Sequence, residues 1–271
     1  MTRPTSKPQK NPVAGMVEKR GLGIWLSHAI MILGVLIVFF PIWLAFVAST
    51  VTQPEIVSPP MPLLPGDQFF INYKKALFAG VNVPVGTMLT NSLVMAIGIA
   101  VGKIIISLLS AFAIVYFRFP GKKIFFWLIF ITLMLPVEVR IVPTYEIIAG
   151  FGMLNSYGGL IFPLIASATA TFLFRQFFMT VPDELAEAAR VDGANGWHYV
   201  SKILLPLAVP ALATGAILSS ILSWNDFLFA LALTRSVAKT APVGIQEFTG
   251  MYGTDWGSLS AASVTIIAPV L

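Results

Sequence analysis

Between Arg20 and Glu55 no aspartate, glutamate, lysine or arginine interrupts the chain, and residues 22–49 (LGIWLSHAIMILGVLIVFFPIWLAFVAS) are almost wholly apolar. A helix that crosses the ~30 Å hydrocarbon core of a bilayer needs about 20 such residues. Four further runs pass that test, at 87–117, 123–148, 157–179 and 207–233. A sixth begins near Leu259 and is still apolar at Leu271. It is too short to cross, which predicts that the natural protein continues beyond Leu271. Only 11% of the residues are charged, against about 25% in a soluble domain. So little charge cannot cover a globular surface in water. The expected fold is therefore an all-α polytopic membrane protein of six transmembrane helices, because helices satisfy every backbone polar group internally. The first run is about twice the length of a signal-peptide core and lacks a clean cleavage site, so it is expected to be a retained helix.

Orientation follows from the basic residues. The tail (Arg3, Lys7, Lys10, Lys19, Arg20), the 118–123 turn (Arg118, Lys122, Lys123) and the 175–206 loop (Arg175, Arg190, Lys202) carry 11 of them. The alternate loops carry 4, namely Lys74, Lys75, Arg235 and Lys239. The richer set belongs in the cytoplasm. This predicts a cytoplasmic tail over 1–21, a transmembrane region over 22–271, and an outer loop over 50–86. That loop's stretch VSPPMPLLPGDQ reads as an irregular but packed connection. The net charge of +5 does not indicate nucleic acid, because the bases flank apolar runs rather than sharing one face.

Several kinds of chemistry lack their residues. The chain has no cysteine, and it shows no carboxylate pair, metal cluster or nucleophile triad. Neither Gly102-Lys103 nor Gly121-Lys122 sits in a GxxxxGK[ST] phosphate loop. Any ATP, with its magnesium, must be handled by another polypeptide, and no cofactor is expected in this chain.

One segment is out of character with the rest. VPDELAEAARVDGANGWHYVSKILLP, residues 181–206, reads as helix, turn, helix. Asp183 suits an N-cap, and Glu184 and Glu187 suit the positive end of the first helix. Leu185, Ala188, Ala189 and Asp192 fall at helical spacing, with the alanines forming a smooth patch. Gly193 suits the left-handed turn that ends a helix. A helix lying on the lipid surface would carry large apolar residues opposite lysines. Alanines among acids suit a protein partner instead.

The spacing Glu187-Ala188-Ala189, three residues, Gly193, nine residues, Ile203, one residue, Leu205-Pro206 resembles the EAA loop of binding-protein-dependent ABC importer permeases. With Trp224-Asn225-Asp226 in the fifth run, the chain resembles the carbohydrate-uptake, maltose-transporter-like family of type I importers. FFWLIFITLMLPVEVRIVPTYEIIA and ASATATFLFRQFFMTVPDELAEAARVDGA resemble members of it that import glycerol-3-phosphate. The resemblance implies a permease subunit in the bacterial inner membrane, paired with one sister permease, two ABC ATPase subunits and a substrate-binding protein outside. It implies that Glu187 meets a basic residue of the ATPase, that Ala188 and Ala189 pack, that Asp192 belongs to the same docking helix, and that Gly193 forms the bend. The implied cargo is sn-glycerol-3-phosphate or a glycerophosphodiester, with a neutral sugar, oligosaccharide or polyol as the alternative. A passive channel would have no use for such a socket, and an intramembrane enzyme would need a catalytic cluster.

Ionisable groups at bilayer depth mark functional candidates. Counted along continuous helices from the 118–123 turn, Lys103 and Glu138 each lie about 22 Å in, and Arg140 about 3 Å further. These heights predict that Lys103 approaches Glu138, either as a helix-holding ion pair or beside a substrate path, and leaves Arg140 to an anionic substrate. Pro136 and Pro143 flank the pair, and interrupted helices are where transporters place ligand sites. Trp224, Asn225 and Asp226 lie about 30 Å along the fifth run, where they either line the path or cap helix ends.

Overall fold

The computed structural model describes residues 22–79, 82–132, 135–250 and 253–271, so the expected tail at 1–21 lies outside the described residues. The first apolar run forms α1 (Leu22–Ala48). Every side chain from Gly23 to Pro41 is exposed, and an apolar cylinder of that extent belongs in lipid. Only its far end is buried, where Val47, Ala48, Ser49 and Thr50 meet the following loop.

That loop is packed by polar contacts to the backbone. Gln68 N donates to the Thr50 carbonyl (2.8 Å), Gly66 N to Thr50 Oγ1 (2.9 Å), and Trp43 Nε1 to the Leu63 carbonyl (3.1 Å). It contains the short helices α2 (Gln53–Val57) and α3 (Phe69–Lys74). The first is opened by a capping box, in which Thr52 N and Oγ1 both donate to Glu55 Oε2.

The axis of the molecule is α4 (Val85–Tyr116), 32 residues long and hence about 48 Å. The next run, expected as one helix over 123–148, is instead α5 (Lys122–Ile131) and α6 (Val137–Gly150). Pro136 stands between them in an extended conformation (φ −54°, ψ 142°) and starts α6 afresh. The run at 157–179 divides into α7 (Tyr157–Leu164) and α8 (Ala168–Phe178), bent by 47°. Pro163 lies at the end of α7, and the Ser167 hydroxyl caps α8 by accepting from Ala170 N (3.3 Å).

Two helices follow in the polar segment, α9 (Asp183–Val191) and α10 (Gly196–Leu207). A 76° bend then leads into α11 (Val209–Trp224). The run at 207–233 is completed by α12 (Leu228–Leu233), after a break at residues 225–227. The chain continues through α13 (Ala241–Gly244), a two-residue antiparallel pairing of β1 (Thr249–Gly250) with β2 (Gly253–Thr254), and α14 (Trp256–Ile267). Among the described residues the fold is all-α but for that pairing. Among the described residues, Gly23–Ala48 and Val85–Tyr116 are long and apolar enough to cross a membrane singly, and the two bent pairs bring the number to four.

α8 and α11 pack along α4, and α14 packs on α1. Close approach requires small residues where α4 meets α7 and the segment after it. A Cβ at Gly98 would lie 2.6 Å from Ile161 Cδ1, and one at Gly102 would overlap Ile165. Three buried clusters result. One joins α4, α8, α9 and α10 through Phe112, Phe174, Phe178, Ala189, Tyr199 and Leu204. A second joins α4, α6, α7 and α12 around Ile99, Ile148, Leu160 and Phe229. The third joins the start of α4 to α14 around Met88, Phe248 and Ala262.

Candidate functional site

The polar segment is built as a rigid corner. The end of α9 is a Schellman turn. Gly193 adopts φ +76°, its N–H donates to the Arg190 carbonyl (3.1 Å), and Ala194 N donates to the Ala189 carbonyl (2.9 Å). α10 begins two residues later, where Asn195 Oδ1 accepts from His198 N (2.8 Å). The N-cap of α9 is Pro182, and Asp183 is its first helical residue. This corrects the assignment of Asp183 as cap. The extended proline sets the start of the helix, and Asp183 contributes charge near the positive helix end instead.

The two alanines face opposite ways. Ala189 is only 5% exposed and joins Phe112, Phe178 and Tyr199 in the core, whereas Glu187, Ala188, Asp192 and Gly193 are exposed. The expected smooth alanine patch is therefore not formed, because ~100° of helix rotation per residue turns Ala189 inward with Ala186. Two apolar side chains that spacing did not single out are exposed on this corner, Val191 at 87% and Trp197 at 70%. Beside them a cleft of about 920 Å³ opens between α9 and the turn after α4, lined by Asp183, Glu187 and Arg190 and by Tyr116, Arg118 and Lys122. Lys122 also ends α4, as its ammonium donates to the Val115 (3.0 Å) and Phe117 (3.3 Å) carbonyls.

The second feature is a cavity of about 340 Å³ among α4, α6, α8 and α11. Lys103, Arg140 and Asp226 line it together with Thr132, Ser167, Thr169 and Ser223. Lys103 shares this lining with Asp226 and Arg140. Glu138 is exposed and is not among the lining residues. The expected Lys103–Glu138 approach is thus replaced by a Lys103–Arg140–Asp226 group. The heights were counted along a continuous helix, whereas α5 ends at Ile131 and α6 starts afresh after Pro136.

The remaining candidates divide. Trp224 is buried, and its indole Nε1 donates to the Ile266 carbonyl (3.0 Å), which fastens α11 to α14. Asn225 ends α11, with Nδ2 donating to the Ile221 carbonyl (3.0 Å). Asp226 takes the second of its two expected roles, capping α12 by accepting from Phe229 N at 3.1 Å, and it also lines the cavity. Ser223 and Ser167 were not picked out in the sequence. A serine inside an apolar run ordinarily bonds to its own helix, so composition gives no sign that it faces a cavity.

Residues 103–271 match the family described as binding-protein-dependent transport system inner membrane component. The chain is 51% identical over 264 residues to the sn-glycerol-3-phosphate transport system permease protein UgpE of Salmonella typhi, covering 94% of each chain. It is 48% identical over 264 residues to the protein of that name from Brucella suis biovar 1 (strain 1330), again over 94% of each. Its fold is similar to a chain in the crystal structure of a bacterial ABC transporter involved in the import of the acidic polysaccharide alginate. The TM-score is 0.79 at 24% identity, over 97% of this chain and 96% of that one.

Proposed function

The chain belongs to the family of binding-protein-dependent transport system inner membrane components, and on that premise we propose that it forms half of an ATP-driven import pathway for sn-glycerol-3-phosphate or glycerophosphodiesters. The names of its half-identical relatives support the substrate. The observation that carries the reading is the cavity between α4, α6, α8 and α11, whose two cations and one carboxylate leave it net positive. Arginine and lysine are the residues that hold phosphate. In this reading six helices cross the inner membrane with the tail in the cytoplasm. A sister permease completes the path, two ATPase subunits dock on the cytoplasmic face, and a binding protein delivers substrate from outside.

The mechanism follows from how the corner is anchored. The ATPase subunits would grip the exposed side of α9 and the cleft beneath it, with Glu187 offering its charge to a basic partner and Ala188 giving a close contact. The buried side of α9 is fixed through Ala189 to Phe112 on α4 and Phe174 and Phe178 on α8. α8 runs from that core to Ala168 and Thr169 at the cavity, and α4 carries Lys103 there. A displacement of α9 therefore moves the cavity walls as levers, because a close-packed core transmits strain. Asp192 and Gly193 would set the angle of the joint.

Reconstitution of the chain with its sister permease, ATPase and binding protein tests this. ATP-dependent uptake of labelled sn-glycerol-3-phosphate is expected, competed by unlabelled glycerophosphocholine and not by maltose. Carriage of maltose alone would keep the machine and remove the substrate. Glu187→Arg is expected to lower uptake by about tenfold or more, as a like charge placed at an interface does, while the complex still co-purifies.

A further inference from the structure

The same cavity has features that transport in general does not require. Ser223 is 4% exposed, lines the cavity, and its hydroxyl has no partner. A buried hydroxyl left unbonded is costly unless something visits it. Ala168 and Thr169, the first residues of the 11-residue helix α8, line the opposite wall, and the first amides of a helix have no partner within it. Lys103 on α4 and Arg140 on α6 complete a ring of donors. Asp226 is the one acid among them, and its carboxylate accepts from the Phe229 amide of α12 (3.1 Å).

We infer that this cavity is a phosphomonoester subsite within this subunit, in which Asp226 is a resident counter-charge to Lys103 and Arg140. The inference rests on the reading of the chain as a permease for a phosphorylated substrate. Phosphate oxygens take the Lys103 ammonium, the Arg140 guanidinium and the Ser223 hydroxyl. The Phe229 amide keeps Asp226 bonded while the two cations turn to phosphate. The carboxylate that stays behind repels the phosphate and keeps its stay short, since a transport site must bind well enough to admit and weakly enough to release.

The test is equilibrium retention of labelled sn-glycerol-3-phosphate by the assembled permease–ATPase complex without its binding protein, measured beside uptake by the complete importer. Wild type is expected to retain label that inorganic phosphate displaces and glycerol does not. Arg140→Gln and Lys103→Gln should weaken retention by about tenfold or more, with partial recovery in Arg140→Lys and Lys103→Arg. Asp226→Asn should strengthen retention and slow uptake, a gain that misfolding cannot produce. Uptake of sn-glycerol-3-phosphate without retention by wild type, or retention indifferent to Arg140, Lys103 and Asp226, would overturn the subsite and leave the proposed function standing. Displacement by glycerol as readily as by phosphate would also overturn it. Retention with these sensitivities but no uptake would remove the transport reading and keep the subsite.

Discussion

At the scale of single residues, Asn155 fixes two loops at once. It sits at φ 55°, a conformation that asparagine tolerates better than most residues. Its carboxamide oxygen accepts from the successive amides of Arg235, Ser236, Val237 and Ala238, at 3.0, 3.1, 3.1 and 3.4 Å. Asn155→Leu loses the acceptor and adds backbone strain, so it should destabilise the protein by roughly 2 kcal/mol or more. Asn155→Gly keeps the φ and loses only the acceptor, so its thermal unfolding in detergent should fall between the two. Asp255 gives a pH signature. Burial pushes its carboxyl up, but hydrogen bonds from Lys75 and Ser258 and the Lys75 charge outweigh that and hold it below its ordinary value. A carboxyl depressed in the folded state stabilises above its unfolded pKa of about 4 and loses that contribution as pH falls through the lower folded value. Asp255→Asn should therefore cost about 0.5 kcal/mol or less at neutral pH, since the Lys75 partner is largely exposed and such pairs are screened. The deficit against wild type should vanish in melts well below pH 4. Lys103, Arg140 and Asp226 were legible as costly charges in apolar runs. Which of them meet was not, because that depends on where a helix stops.

At the scale of elements, the corner α9–Gly193–α10 was readable as helix, turn and helix from Gly193 and the flanking polar residues. The inward face of α9 was not, because an alanine fits a partner's surface and a core equally well. The two faces predict different failures. Ala189→Leu overfills the cluster at Phe112 and Phe178 and should destabilise the protein by about 1–3 kcal/mol, visible as a lowered melting temperature. Ala188→Leu lies on the exposed face and should leave melting unchanged while impairing ATPase co-purification. The Pro136 and Ser167 breaks illustrate a related limit. Hydropathy reports that a run is apolar throughout, while a proline or a capping serine decides whether it is one helix or two, and neither changes the average.

At the scale of the whole molecule, the apolar runs announced a membrane protein. The three buried clusters set the order of the parts. The polar corner, the charged cavity and the segments around α13 and α14 are each fastened to a different stretch of α4. Gly98 and Gly102 are two positions where that axis lies tight against its neighbours. Gly102→Val should force α4 away from Ile165 and widen the cavity, and it is expected to lower both assembly and uptake. α1 stands apart, with its side chains from Gly23 to Pro41 exposed and its far end packed near α14. Its 27 residues span about 40 Å, against a hydrocarbon thickness of about 30 Å. A hydrophobic helix longer than the bilayer is accommodated by tilting, so this first helix is expected to cross at an angle set by its packed end.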